Sequence, residues 1–563
     1  GLTLTNIIFD DAGKKEGTVF AQAVSDGSVG AASNDNLVYV QDAIIASNAT
    51  VTTTITLGDG AVLRNFGGMS AVRATGEAKL VMEPGSVIED ASSITRSKGD
   101  AGSVGPAGAV WLQGSDFEME NGAEIKNVNG RAVYADGGSV SVGGTISGII
   151  GNPAMWQGKD GTAIHLRGSA KATLNGKISD CTEGVLVFVD KAVFEMATGS
   201  FLGNSDAAGI KTNEDPTWSL VNKDDYGTDR NTITIHGEIS GIKNNKTPIQ
   251  FKFGTLLIGA DSNIHHNSVF YGTLYIQRDA IVDIYGKINN NDASSRGGGV
   301  ATAGHGEVVI NMYEGAEVKG NTAVKNGGGI MISSNTSFTM YGGEISGNVS
   351  QTVGGGIYQY KNNSKVELQG GTIRDNTMNA TDVKDSSTGT ENDITISNQG
   401  NGSSNHYLYI SQNTELDNQN VYFQINSTTV TPAENSLDIK LGNASKESVT
   451  ALSGKADANG WNAPLATFWA QRDGAAELTV GGLTFNKALP VYALVQETGA
   501  DGKPVSGAEV RVYSTKITDD GIRLTLPNGY TNGCAVALAQ PTTDFGSVGI
   551  SGPTEIAKTS DAA

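Results

Sequence analysis

The chain is poor in cysteine, proline, charge and long apolar runs. Its 563 residues hold two cysteines, Cys181 and Cys534. That excludes a disulfide framework, and no CxxC is present to hold zinc. The two fall in segments that read as different domains, so they are not expected to pair. Twelve prolines without a Gly-X-Y period exclude collagen. No apolar run reaches the ~18 residues of a membrane-crossing helix, so no membrane insertion is expected. No signal peptide is recognisable. The chain starts at Gly1 and stops at Ala563, and both ends look cut, so any leader or anchor is expected to lie outside them. Positive charge is the minority: 39 Lys and Arg stand against 59 Asp and Glu, a net charge of −20. Phosphate backbones are held by basic patches, so nucleic acid is not an expected partner. An acidic, solvated surface fits the balance and is compatible with weak surface calcium. No other cofactor is expected.

What is abundant is glycine, 75 residues, far above the usual ~7%. With it comes one recurring phrase: an apolar alternation, a glycine, then an apolar anchor often followed by Asn. It reads LVMEPGSVIED at 80–90, FEMENGAEIKN at 117–127, VSVGGTISG at 140–148, ATLNGKISD at 172–180 and ITIHGEISG at 233–241. It continues as VDIYGKINNN at 282–291, INMYEGAEVKGN at 310–321, FTMYGGEISGN at 338–348 and VELQGGTIRDN at 366–376, with a poorer YLYISQNTELDN at 407–418. The anchors Ile239, Ile264, Ile288, Val318, Ile345 and Ile373 are 24 to 30 residues apart. Between them lies a second phrase, GGGV at 297–300 and GGGI at 327–330 and 354–357, with looser forms AGAV at 107–110, GTAI at 161–164 and AAGI at 207–210.

Alternation means strands, and residues 80–420 carry no helical stripe. Two or three short strands per period of 21–37 residues, with no crossover helix, describe one coil of a parallel β-solenoid. A dozen coils stacked at the inter-strand spacing would run roughly 55–65 Å. In FTMYGGEIS, Phe338, Met340 and Ile345 are expected to point inward, Thr339 and Tyr341 outward. Three residues past the anchor stand Asn267, Asn291, Asn321, Asn348 and Asn376; other copies hold Ile149, Cys181 and Ile242. A position accepting Asn, Ile and Cys faces inward at a corner, which predicts a buried amide ladder and an inert Cys181 thiol.

The pairing of IxxN (Ile345 to Asn348) with GGGI (Gly354 to Ile357) resembles the FxxN and GGAI repeats of bacterial polymorphic outer-membrane adhesins. It is also similar to the right-handed β-helix repeats of large Gram-positive surface proteins, the better match because nothing here reads as an autotransporter barrel. The resemblance covers roughly residues 80–420. Farther on, GADGKPVSGAEVRVYS at 499–514 and TDDGIRLTLPNGYTNG at 518–533 resemble Cna-B-like, transthyretin-like β-sandwich modules of Gram-positive surface proteins. Some of those carry Lys–Asn isopeptide bonds; no Lys–Asn pair is assignable here. Cysteine poverty fits such proteins.

The expected fold is therefore all-β: a right-handed, three-faced parallel β-helix followed by a small β-sandwich domain. The boundaries are 1–45, an N-terminal capping segment; 46–430, the β-helix; 431–490, a β-rich cap or final coils, with AELTVGGLTFNKA at 476–488 a candidate last coil; 491–545, the Ig-like or Cna-B-like module; and 546–563, a linker or tail.

β-Helices also host polysaccharide-cleaving enzymes. Pectin hydrolases of the fold carry NTD, DD, GHG and RIK motifs in order. This chain has Gly304-His305-Gly306, but its Asp224-Asp225 pair lies about 80 residues earlier, RIK is missing, and no acidic column recurs on consecutive coils. Of the six histidines, His265 and His266 are adjacent on a strand and are expected to face opposite sides. No HxH, HExxH, P-loop or calcium nonapeptide is present. No residue is assigned a catalytic or metal-binding role.

Two aromatic columns are the better candidates. The residue after the inward Met or Ile is Tyr285, Tyr313 and Tyr341 on successive coils, with His236 in the same slot two coils earlier. The residue after the Gly-apolar phrase is Trp111, Tyr134 and His165, then Tyr275, Met331 and Tyr358. Both columns are expected to face outward. Exposed aromatics stack on sugars and anchor protein partners, although they also stabilise strands by packing on one another. The expected function is that of a monomeric, extracellular, cell-wall-anchored bacterial adhesin that binds a host or environmental glycan or protein through an elongated face. The alternatives are a polysaccharide lyase or glycoside hydrolase, and a spacer that binds nothing.

Overall fold

A strand whose alternate residues are apolar buries one side and leaves the other to solvent, and the repeat phrases do this throughout. In Lys79–Met82, Leu80 and Met82 are fully buried while Lys79 and Val81 are not. The computed structural model describes residues 2–10, 54–65, 70–91, 108–151, 161–212, 230–304, 306–360 and 364–398, with isolated strands elsewhere. The chain is all-β with parallel sheets, and it divides into two units, Gly1–Val269 and Phe270–Ala563.

In the first unit each repeat contributes three strands, for example Asp116–Met119, Glu124–Lys126 and Arg131–Asp136. Each pairs in parallel with its counterpart in the next repeat, placing Phe117 beside Val140, Ile125 beside Ile146 and Val133 beside Ile164. The anchors thus form one buried column, continued by Ile178, Leu202, Ile239 and Ile264. Leu202 belongs to a copy not singled out in the sequence, VFEMATGSFLGN at 193–204; its Phe194 pairs with Ala172 and Ile233. Parallel pairing also begins earlier than expected. Leu2–Leu4 lies beside Thr54–Leu57, Ile8–Asp10 beside Val62–Arg64, and Asn36–Gln41 beside Ser70–Thr75. The segment 1–45 therefore contributes strands to the same sheets, because its apolar residues fall in the same register.

The corner after each anchor has a fixed conformation. Two residues past the anchor φ is positive: 54° at Asp90, 56° at Asn127, 60° at Asp180 and 48° at Asn204. In the second unit the values are 55° at Asn290, 62° at Gly320, 61° at Gly347 and 55° at Asp375. The left-handed region costs least for Gly, Asn and Asp, which is why those residues recur there. The chain then turns inward, and the residue three past the anchor is buried: Val128, Ile149, Cys181 and Ile242 in the first unit. Burial pushes the Cys181 thiol up to about 12, and it donates to the Ser179 carbonyl at 3.3 Å.

In the second unit this buried position is asparagine. Asn291, Asn321 and Asn348 each donate through Nδ2 to Oδ1 of the next asparagine, at 2.9, 3.1 and 2.9 Å. The backbone N–H groups of the same three residues donate to the same oxygens at 3.1, 2.9 and 3.0 Å. Asn321, Asn348 and Asn376 also reach the carbonyls of Ile288, Val318 and Ile345. The column ends where Asn376 donates to Asp393 Oδ1 at 2.9 Å.

The triple glycines make room for this ladder. A Cβ on Gly329 would stand 3.0 Å from Asn348 Nδ2 and 2.7 Å from the Gly356 carbonyl; one on Gly356 would stand 2.9 Å from Asn376 Nδ2. The two sequence phrases are thus two halves of one packing unit. A fourth short strand per repeat also appears here, in Asp292–Arg296, Thr322–Ala323, Val349–Ser350 and Thr377–Met378.

Parallel pairing continues through Ser404–Ile410 and Asn435–Leu441. Beyond it the pairing turns antiparallel. Glu477–Val480 and Leu483–Asn486 form a hairpin rather than a last coil. Pro490–Glu497 pairs antiparallel with Val510–Thr518 and with Cys534–Ala539, while Gly521–Thr525 pairs with Asn435–Leu441. The 546–563 tail lies outside the described residues.

Candidate binding surface

In the second unit the strands Ala280–Ile284, Val308–Met312 and Thr336–Met340 run side by side, with Ile284, Met312 and Met340 in register and pointing in. The next residue of each chain must point out, and those residues are Tyr285, Tyr313 and Tyr341. Their rings form a stack. Centroids are 4.3 Å apart between Tyr285 and Tyr313, with planes 2° apart, and 5.3 Å and 18° between Tyr313 and Tyr341. Tyr285 is 36% exposed and Tyr341 53%. Both faces of Tyr313 are therefore occupied, by Tyr285 and Tyr341, and the next position of the column beyond Tyr341 is Gln369, because Met340 pairs with Leu368.

Beside the stack runs a polar column built by the same alternation: Asp283, Asn311, Thr339 and Glu367. Asn311 Nδ2 donates to Asp283 Oδ1 at 2.9 Å, and the Tyr313 hydroxyl donates to the same oxygen at 3.3 Å. Desolvation, then the Asp283 charge and Tyr285, push the Tyr313 phenol up to about 12. Glu367 is ion-paired to Lys365 at 2.6 Å. Thr339, expected to be open, is covered. His236, in the equivalent slot of the first unit, is half-buried.

The second aromatic column differs from expectation. Its residues do stand on the outer side of their strands, in register: Trp111 beside Tyr134, Tyr134 beside His165, and Met331 beside Tyr358. Yet Trp111, Tyr134, His165 and Tyr358 are all buried, and Tyr275 is half-buried. The cause is packing on the outer face. The Arg73 guanidinium lies 4.0 Å over the Trp111 ring. Tyr134 packs at 5.0 Å on His165, which packs at 4.8 Å on Phe188, and Arg167 reaches the Tyr134 hydroxyl at 3.4 Å. In the second unit the incoming glycine turn folds back over the strand: a Cβ on Gly327 would stand 3.1 Å from Met331 Cβ. Val353 and Met378 complete a cluster around Met331 and Tyr358. Trp111, Tyr134 and Tyr358 thus hold an outer layer together instead of presenting free surfaces.

Sequence reasoning passed over Phe270 and Tyr271, which are 46% and 37% exposed. Tyr271 stacks on Tyr275 with centroids 5.7 Å apart. The signal was the consecutive pair of aromatics before Gly272 in SVFYGTLYI.

The histidines also differ. His266 sits at the left-handed corner, φ 52°, just past the strand Asn263–His265. The turn brings the two rings together with Nδ1 atoms 2.6 Å apart, so they do not face opposite sides. His265 Nε2 lies 3.2 Å from Glu238 Oε1. Among the described residues no group of three or more His, Cys, Asp and Glu converges as for a metal ion. Asp224, Asp225 and His305, the residues of the enzyme alternative, lie outside the described residues.

Comparison with protein-family models, with curated proteins and with solved structures finds no match.

Proposed function

We propose that the chain is a right-handed parallel β-helix of a bacterial surface adhesin, with residues 491–545 a Cna-B-like module on its cell-wall side. In-register parallel pairing of three strands per repeat supports the β-helix, and the resemblance of the IxxN and Gly-Gly-Gly phrases supports the class. One observation carries the binding role: a tyrosine stack left open on a sheet face, bordered by carboxylate and amide side chains. Saccharides need this mixture, an aromatic surface for C–H groups and polar groups for hydroxyls. Glycans and glycoproteins of a host or of the bacterium's surroundings are the proposed partners, and no cofactor is needed.

The self-stacking of the rings favours a second reading. A stack that satisfies its own faces is also a good brace between repeats, and a spacer needs no more than that. Retention of the whole chain on immobilised glycans and glycoproteins separates the two. Retention weakened by Tyr341→Ala supports the adhesin; passage through every one of them supports the spacer.

A further inference from the structure

We infer that His265 and His266 form a seat for one Cu(II) ion, a site that does not rest on the adhesion reading. The two Nδ1 atoms face each other 2.6 Å apart, and the ring planes stand at 84°. At that separation one nitrogen carries a hydrogen and the other a lone pair. Glu238 decides which. Its Oε1 lies 3.2 Å from His265 Nε2 and accepts a hydrogen bond from Ser240 Oγ at 2.7 Å. The His265 hydrogen is therefore held on Nε2, and Nδ1 keeps its lone pair. A carboxylate behind an imidazole is the arrangement that orients a metal-ligating histidine. His266 then supplies the shared hydrogen, and only that proton stands between the two nitrogens. When an ion takes its place, the proton passes to His266 Nε2 through the solvent to which this residue is exposed. Both Nδ1 atoms then present lone pairs.

The repeat builds this pair. Adjacent strand residues point apart, but His266 lies at the left-handed corner after Asn263–His265, and the corner turns its ring back beside the first. In the preceding repeat Ser240 stands beside His265, and the corner residue is Gly241, φ 70°, which brings no side chain over His266. In the following repeat the Asn289 amide is engaged by Glu317 and the Lys319 N–H. Geometry then selects the metal. With metal–nitrogen bonds of about 2.0 Å, a right angle at the ion sets two nitrogens about 2.8 Å apart, and a tetrahedral angle about 3.3 Å. The pair at 2.6 Å is nearer the right angle, which suits tetragonal Cu(II) or Ni(II) and not tetrahedral Zn(II). Cu(II) binds such nitrogens most strongly of the divalent series, while calcium and magnesium take oxygen ligands. Two imidazoles fill two cis positions and water the others, in keeping with the lack of a three-residue group among the described residues.

The test titrates the metal-free full chain with copper(II) chloride, with glycine in excess as a weak competing chelator. Calorimetry reads affinity, and pulsed electron paramagnetic resonance counts the imidazoles on the ion. The expected result is one Cu(II) per chain bearing two imidazoles, with Zn(II) held at least about tenfold more weakly. His265→Asn and His266→Asn take the residues of the next repeat, Asn289 and Asn290, and asparagine tolerates the left-handed corner. Each is expected to abolish the two-imidazole signal and to lower the affinity by more than about a hundredfold. Glu238→Gln should lower it about tenfold and keep both imidazoles, as a positioning residue does. His236→Asn should change neither. Far-UV circular dichroism establishes that each variant is folded. A single imidazole in the wild type, or a two-imidazole signal that survives either His265→Asn or His266→Asn, overturns the site. Unchanged affinity in Glu238→Gln overturns the part given to the carboxylate.

Discussion

At the scale of the residue, the asparagine ladder makes the sharpest demand. Asn348 gives two hydrogen bonds through Nδ2, to Asn376 Oδ1 and to the Val318 carbonyl, both at 2.9 Å, and accepts two from Asn321. All are buried, so Asn348→Ala strands a carbonyl, an amide N–H and a carboxamide away from water. Unmade buried bonds cost about 1–3 kcal/mol apiece. With partial relaxation the variant is expected to lose about 3 kcal/mol, read as a lower denaturant midpoint. A loss below about 0.5 kcal/mol would mean that water already serves these groups. Tyr313 makes a pH-dependent demand of the opposite kind. Its phenol is raised to about 12 in the fold, against an ordinary value near 10. Above pH ~10 the unfolded chain releases this proton and the folded chain keeps it. The stability it contributes is therefore whole below pH ~10 and is lost as pH rises toward 12. Absorbance titration near 295 nm should show a step at about 12 in the wild type that is missing in Tyr313→Phe.

At the scale of the element, the repeat is a unit of register. Glu317 pairs with Glu344 and Val318 with Ile345, so removing residues 318–344 joins Glu317 to Ile345 and restores the phrase at the junction. Stability in such arrays is nearly a sum of repeats and their interfaces. The shortened chain is expected to keep its β-type circular dichroism and a cooperative transition at a lower denaturant concentration. Loss of the β signal would contradict interchangeable repeats. This part of the fold was legible in the sequence, because alternation, glycine and the spaced anchors each follow from burying one face of a strand. The inward position of Asn321, Asn348 and Cys181 was legible too, from the chemical variety that it tolerates. The burial of Trp111, Tyr134 and Tyr358 was not. Alternation tells which side of a strand a residue takes, but not whether another segment covers that side. The cover comes from glycine turns and from neighbouring repeats far away in sequence. His266 was misread for a related reason: the left-handed corner breaks the alternation on which the expectation of opposite faces relied. The recurring Gly, Asn or Asp two residues after the anchor was the available sign of that corner.

At the scale of the whole molecule, the proposed surface role rests on the tyrosines exposed on one sheet face of the second unit, Tyr285 and Tyr341 among the described residues. The net charge of −20 argues against polyanionic partners, since binding them releases counterions only to a basic surface. The proposed partners, glycans and glycoproteins, need no basic surface. The measurement that bears most directly on this account passes the purified chain over a broad panel of polysaccharides and glycoproteins, scoring retention and new reducing or unsaturated chain ends together. The account predicts retention without new ends, weakened when Tyr341 is replaced by alanine. New chain ends that persist after re-purification would contradict it and turn attention to Asp224, Asp225 and His305.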